Sequence, residues 1–119
     1  MEISEKRPDP VVHCQSLVGG KWKLLILYVI KSGSNRFGAM QREIPGITKQ
    51  MLTQQLRELE ADGLLDRKIF AEIPPRVEYT MTKRGRSLLP IVDAMKTWGE
   101  WDLAADDNDK DRYQLAMNF

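Results

Sequence analysis

IPGITKQMLTQQLRELEADGLLDR, residues 44–67, contains a turn, one helix with two unlike faces and a stop, and the rest of the chain reads outward from it. Ile47, Met51, Leu52, Leu56 and Leu59 recur at helical spacing, which gathers them into one apolar stripe. Lys49, Gln50, Thr53, Gln54 and Arg57 fall on the opposite side. Thr48 stands where an N-cap belongs, Pro45 and Gly46 punctuate the turn before it, and Asp62 with Gly63 supplies the stop. One face can pack while the other reads something. The outer face has the chemistry of a DNA reader: Gln pairs with adenine, Arg with guanine, Lys with phosphate, and Thr touches a thymine methyl. A merely solvated polar face is the plain alternative, and its surroundings decide between the two.

On the N-terminal side, GAMQREI at residues 38–44 predicts a compact helix, and Arg36 with Phe37 suggests a very short strand before it. Two short helices joined by a few turn residues suit a helix-turn-helix, whose second helix enters the major groove, an ordinary helical hairpin being the plain alternative. On the C-terminal side the period changes to two: Val77, Tyr79 and Met81 alternate with Arg76, Glu78 and Thr80. Residues 65–73 supply a partner strand, and Pro74 with Pro75 makes a stiff connection that donates no backbone hydrogen bond. A ribbon directly after a helix-turn-helix is a wing, and Arg76 is expected to reach a phosphate or the minor groove from it. Glu78 is an odd charge beside a polyanion, so Arg67 or Lys68 on the neighbouring strand is expected to neutralise it.

Asp9 and Pro10 open a short helix to about Val18, with Val11, Cys14 and Val18 on one side, and Gly19 and Gly20 end it. KWKLLILYVIK, residues 21–31, is apolar nearly all round and reads as a sandwiched core helix. Trp22, Leu25, Ile26 and Val29 would face one neighbour, and Leu24, Leu27 and Tyr28 another. Thr82 is an N-cap candidate for a long last helix in which Leu88, Val92, Met95 and Trp98 line up, and Pro90 predicts a kink or a late start there. Trp98 and Trp101 exceed what one small core can absorb. With Val11, Leu17 and Met95 they are assigned to a dimer interface, the chain's own core being an equal reading for Trp98.

The 119 residues suit one domain, taken as 9–102, between a flexible N-terminus at 1–8 and an acidic tail at 103–119. No apolar run approaches the roughly 20 residues of a membrane span, and the polar start MEISEKRPDP has no signal-peptide core, so a cytoplasmic protein is expected. One cysteine and one histidine cannot supply a zinc site or a nucleophile with its base. No phosphate loop is present either, so neither metal, cofactor nor enzymatic activity is expected. The net charge of +1 is unevenly spread: residues 36–86 hold ten Lys or Arg against seven acids, and residues 102–119 hold two against five. A basic middle is what a nucleic-acid partner requires.

GGKW at 19–22, RF at 36–37, IPGIT at 44–48, LRELEADGLLDR at 56–67 and PPRVEYTMTKRG at 74–85 together resemble the HxlR-type transcriptional regulators over about residues 9–101. The resemblance implies a mainly α fold with a small β wing, a winged helix-turn-helix related to MarR-type regulators and dimerising through its first and last helices. It implies that the helix at 48–62 reads the major groove of double-stranded DNA, and that the wing at 65–81 touches the backbone. Many members carry a cysteine followed by Pro-Val about ten residues before GGKW, where some sense oxidants. Here that position is Asp9, which cannot be oxidised. Cys14 lies further along, and a small buried side chain is preferred for it over a redox sensor.

The expectation is a homodimeric, sequence-specific DNA-binding regulator whose DNA contacts are Thr48, Lys49, Gln50, Thr53, Gln54, Arg57 and Arg76, acting on a roughly palindromic site. A winged-helix module that docks a protein partner is the alternative. Neither an effector nor the direction of regulation is legible in the residues.

Overall fold

The computed structural model describes residues 7–105. Most of the N-terminal stretch at 1–8, and the acidic tail from residue 106 to Phe119, lie outside the described residues. The chain divides into two compact units, residues 1–89 and 90–119. In order the elements are α1 (Pro10–Val18), α2 (Lys23–Lys31), α3 (Phe37–Glu43), α4 (Lys49–Ala61), β1 (Leu65–Phe70), β2 (Arg76–Met81), α5 (Lys83–Arg86) and α6 (Leu89–Ala104).

The start of α1 follows from one carboxylate: Asp9 Oδ1 accepts from the backbone N–H groups of Val11 and Val12 at 2.8 and 3.2 Å, with Pro10 inside the first turn. Of the side expected to pack, Val18 is buried, Cys14 half-buried and Val11 75% exposed. Helix α2 is less enclosed than its composition suggests. Ile26 and Val29 of one expected flank and Leu27 of the other are buried, as is Ile30, but Leu25 is exposed and Trp22, Leu24 and Tyr28 are half-buried, so each flank is covered only in part within the chain. The short strand expected at Arg36 and Phe37 does not form. Arg36 is the extended N-cap of α3, and the edge of the ribbon instead makes a single bond there, from Tyr79 N–H to the Asn35 carbonyl at 2.9 Å.

Between α3 and α4, Ile47 N–H donates to the Ile44 carbonyl at 3.4 Å around Pro45 and Gly46, and Gly46 takes a φ of +80° that an L side chain resists. Thr48 Oγ1 then accepts from Met51 N–H at 3.1 Å and caps α4. At the other end Leu64 N–H donates to the Leu59 carbonyl and Gly63 N–H to the Glu60 carbonyl, a Schellman ending with Gly63 at φ +71°. Along the inner stripe Ile47, Leu52, Leu56 and Leu59 are buried with Met40, Ile44, Leu64 and Leu65, each large side chain contributing about 1.5–3 kcal/mol by leaving water.

The ribbon pairs β1 antiparallel to β2 with Leu65 opposite Met81, Arg67 opposite Tyr79, Lys68 opposite Glu78 and Phe70 opposite Arg76. Thr82 caps not the long helix but the single turn α5, its Oγ1 accepting from Gly85 N–H at 2.9 Å while donating to the Gly63 carbonyl at 2.6 Å. A Cβ on Gly85 would stand 2.1 Å from the Leu64 carbonyl oxygen, so only glycine lets this turn close on the junction of α4 and β1. Arg84 seals the same junction by donating to the Asp62 carbonyl at 2.6 Å.

Helix α6 starts late, at Leu89, which places Pro90 in its first turn where no intrahelical donor is lost and leaves Leu88 outside the stripe proposed for it. Val92 is buried, whereas Ile91, Met95, Trp98 and Leu103 are exposed. Trp98 is 61% exposed, and Trp101, the stronger interface candidate by sequence, is the less exposed of the two. Their rings lie 6.4 Å apart at 45°.

Candidate nucleic-acid interface

The outer face of α4 presents Lys49, Gln50, Gln54 and Arg57 to solvent, with Thr53 half-buried beside them. Several of these side chains are already engaged. Thr48 serves as the cap, and Thr53 Oγ1 donates back to the Lys49 carbonyl at 2.7 Å. Gln54 Nε2 donates to Glu58 Oε2 at 2.7 Å, and Lys23 Nζ donates to Glu58 Oε1 at the same distance. The Lys23 hydrogen bond, with that from Gln54 and the ammonium's charge, holds the Glu58 carboxyl below its ordinary range.

Where α4 meets the wing, Phe37, Thr53, Arg57, Glu60, Ala61, Arg67 and Tyr79 line an open hollow of about 580 Å³. Arg67 Nε lies 3.7 Å from Glu60 Oε1, a loose pair that leaves much of the guanidinium in solvent. Burial pushes the Tyr79 phenol up, against the Arg67 and Arg57 cations, so at neutral pH it is a hydroxyl able to donate and to accept. Arg67 and Tyr79 do not stand out in the sequence because they belong to different strands. Only the register, which sets them opposite each other and over Arg57, assembles them.

The wing tip departs from expectation. Arg76 is the most constrained cation of the wing: its guanidinium stacks 4.0 Å from the Phe70 ring centroid, Nη2 lies 3.2 Å from Glu72 Oε2, and its side chain is 31% exposed. Nε sits 3.3 Å from Glu78 Oε2 but makes no directed hydrogen bond there, so that contact is one of charge. The expected partners of Glu78 are corrected as well. Arg36 Nη2, at 3.5 Å, and Arg76 hold its carboxylate, while Arg67 turns to Glu60 and Lys68 lies over the Phe70 ring at 5.0 Å. Longitudinal neighbours on the strand and the pre-α3 residue won over the directly opposite lysine.

A family model described as HxlR-like helix-turn-helix matches residues 17–107. The chain belongs to the HxlR-like family. A protein of Methanothermobacter thermautotrophicus described as an uncharacterized HTH-type transcriptional regulator is 52% identical over 83 residues, 70% of this chain and 63% of that protein. YybR of Bacillus subtilis, described in the same words, is 50% identical over 95 residues, 80% of this chain and 76% of that one. A solved structure of the redox regulator HypR in its oxidized form is 49% identical, covers 77% of this chain and 95% of its own, and superposes with a TM-score of 0.73. The chain is a winged helix-turn-helix of the DNA-binding transcriptional regulator class. In this HxlR-like chain the cysteine is half-buried rather than enclosed, and among the described residues no group of three His, Cys, Asp or Glu side chains could hold a metal. No described helix is long and apolar enough to cross a membrane.

Proposed function

We propose that the protein acts as a homodimer on a roughly palindromic operator, each α4 entering the major groove of one half-site, in the cytoplasm and without enzymatic activity of its own. The observation that carries this reading is the hollow between α4 and the wing, because it joins Arg57 and Arg67 to the Tyr79 hydroxyl beside the outward polar face of α4. A DNA phosphate seated there would fix the register in which Gln50, Thr53 and Gln54 meet base edges. Lys49 and Arg57 serve as backbone ligands, and Arg67 joins them. Arg76 shapes the wing rather than reaching for phosphate, since two carboxylates and a ring already share its charge.

Val11 and Leu17 of α1 with Met95, Trp98 and Trp101 of α6 are the proposed contacts to the second copy. Cys14 has no second cysteine in its own chain, so a disulfide there would have to join another molecule. We read it as structural. Fragments of the organism's own DNA, selected by the full-length protein and titrated at several salt concentrations, test the reading. Binding should weaken steeply as counterions are released, and Arg57→Ala or Arg67→Ala should weaken it on every sequence and lower the salt slope by about 1. Binding indifferent to salt would point to a protein partner instead.

A further inference from the structure

The wing carries no net charge: residues 65–81 hold Arg67, Lys68 and Arg76 against Asp66, Glu72 and Glu78, three and three. Its cations are engaged below the tip. Arg76 lies over the Phe70 ring with Glu72 at 3.2 Å, Lys68 stands 5.0 Å from the same ring, and Arg67 lines the hollow beside α4. What projects furthest is apolar, since Ile73 is fully exposed and Ile69 is 62% exposed. Ile69 stands opposite Val77, and by two-residue alternation both continue the ribbon face that carries Arg67 and Tyr79. A second hollow, of about 490 Å³, is lined by Ile73, Pro74 and Val77 among others and reaches Phe37, which also lines the hollow of Arg57 and Arg67. The apolar arm therefore runs on from the cationic hollow. Pro74 and Pro75 fix two successive φ angles, and a residue before proline is restricted too, so Ile73 is held out with little backbone freedom to lose on contact.

We propose that Ile73 enters the minor groove adjoining each half-site and packs against its deoxyribose walls, so that the wing holds DNA by an uncharged contact. This rests on the reading of α4 as the helix in the major groove, with a phosphate in the hollow of Arg57 and Arg67. A phosphate strand separates the two grooves of a duplex, so an arm that leaves the hollow on the side away from α4 meets the minor groove. Aliphatic side chains are accepted there, against sugar C–H surface and base edges. A narrow A-tract groove attracts inserted Arg or Lys through its stronger negative potential, from which an isoleucine gains nothing. The wing tip thus adds affinity without adding salt dependence or a taste for A-tracts.

The full-length protein and operators selected with it from random DNA test this. Ile73→Ala should weaken binding by roughly 3- to 30-fold, the effect of partly burying an aliphatic side chain, with the salt slope unchanged. Hydroxyl-radical cleavage, which attacks the sugars from the minor groove, should show a protected patch beside each half-site that fades in Ile73→Ala. Ile73→Arg supplies a gain that misfolding cannot mimic: it should steepen the salt slope by about 1 and create a preference, absent from the wild type, for an A-tract beside the half-site. Full affinity and an unchanged footprint in Ile73→Ala overturn the proposal and leave the apolar tip to a protein partner. An Ile73→Arg variant that gains no A-tract preference overturns it as well. Both results leave recognition by α4 standing, whereas a wild type that selects no operator overturns the underlying reading and the proposal with it.

Discussion

Helices α4 and α6 are alike in length, 13 and 16 residues, and opposite in the fate of their apolar side chains. In α4 Leu52, Leu56 and Leu59 are buried, and Lys, Gln and Arg face solvent. In α6 Ile91, Met95 and Trp98 form a stripe at helical spacing that faces solvent too. Single exposed apolar residues are ordinary, but a stripe ending in two tryptophan rings 6.4 Å apart concentrates area that water disfavours. Helix α4 is thus closed within one chain, from its Thr48 cap to its Gly63 ending, and what it leaves outward is hydrogen-bonding chemistry. Helix α6 leaves outward the kind of surface that association removes from water. In the proposed reading the two helices divide recognition from assembly.

The inner face of α4 should be the most sensitive to substitution. Leu56→Ala should lower the unfolding free energy by about 2–5 kcal/mol, the cost of a cavity in a closed core, as measured by urea denaturation. Because α4 is completed within the chain, that loss should be the same at every protein concentration. A loss that shrinks as concentration rises would show that the helix depends on a second copy after all.

On α6 the expected effect is smaller and of another kind. Trp98→Ala should leave the far-ultraviolet dichroism unchanged and weaken self-association by at least roughly 30-fold, the size of an aromatic hot spot, as read by sedimentation. DNA affinity should fall with it, since the second half-site is no longer tethered to the first. A dimer that survives intact would return Trp98 to the ordinary exposed surface.

The smallest effect sharpens the outer face of α4. The folded-state pKa of Glu58 is lowered, chiefly by the hydrogen bond from Lys23, so its contribution to stability is present above the unfolded carboxylate pKa and is lost as pH falls through the folded value. Acidification from neutral pH to below the ordinary carboxylate range should therefore destabilise the wild type more than Glu58→Gln, measured as the change in urea midpoint. Equal acid sensitivity would mean that Lys23 does not hold the carboxylate in solution.

Much of the fold was legible because its signals are local. A cap, a glycine at positive φ and a 3.6-residue stripe each act within one or two turns, so the bounds of α4 and its buried leucines could be read from residues 44–64 alone, as could the two-residue period of β2. Pro90, which cannot donate, marked either a kink or a late start of α6 in the same way, and the helix takes the late start. The class of regulator followed from five motifs in order, and the HxlR-like match at 17–107 agrees with them.

What the sequence could not determine is which charge meets which. Glu78 was matched to its cross-strand neighbours, but Arg36 reaches it from before α3 and Arg76 from along its own strand, and a side chain with several cations in reach chooses by geometry rather than by register. The same holds for Arg76, expected at a phosphate or the minor groove and folded over Phe70, and for Gln54, one of whose two amide hydrogens goes to a glutamate held by a lysine 35 residues earlier. Periodicity assigns a residue to a face because backbone geometry repeats. Ion pairs and hydrogen bonds between elements do not repeat, and they depend on distances that only the packed chain sets, so the tertiary structure alone decided which outward groups on α4 are engaged within the chain.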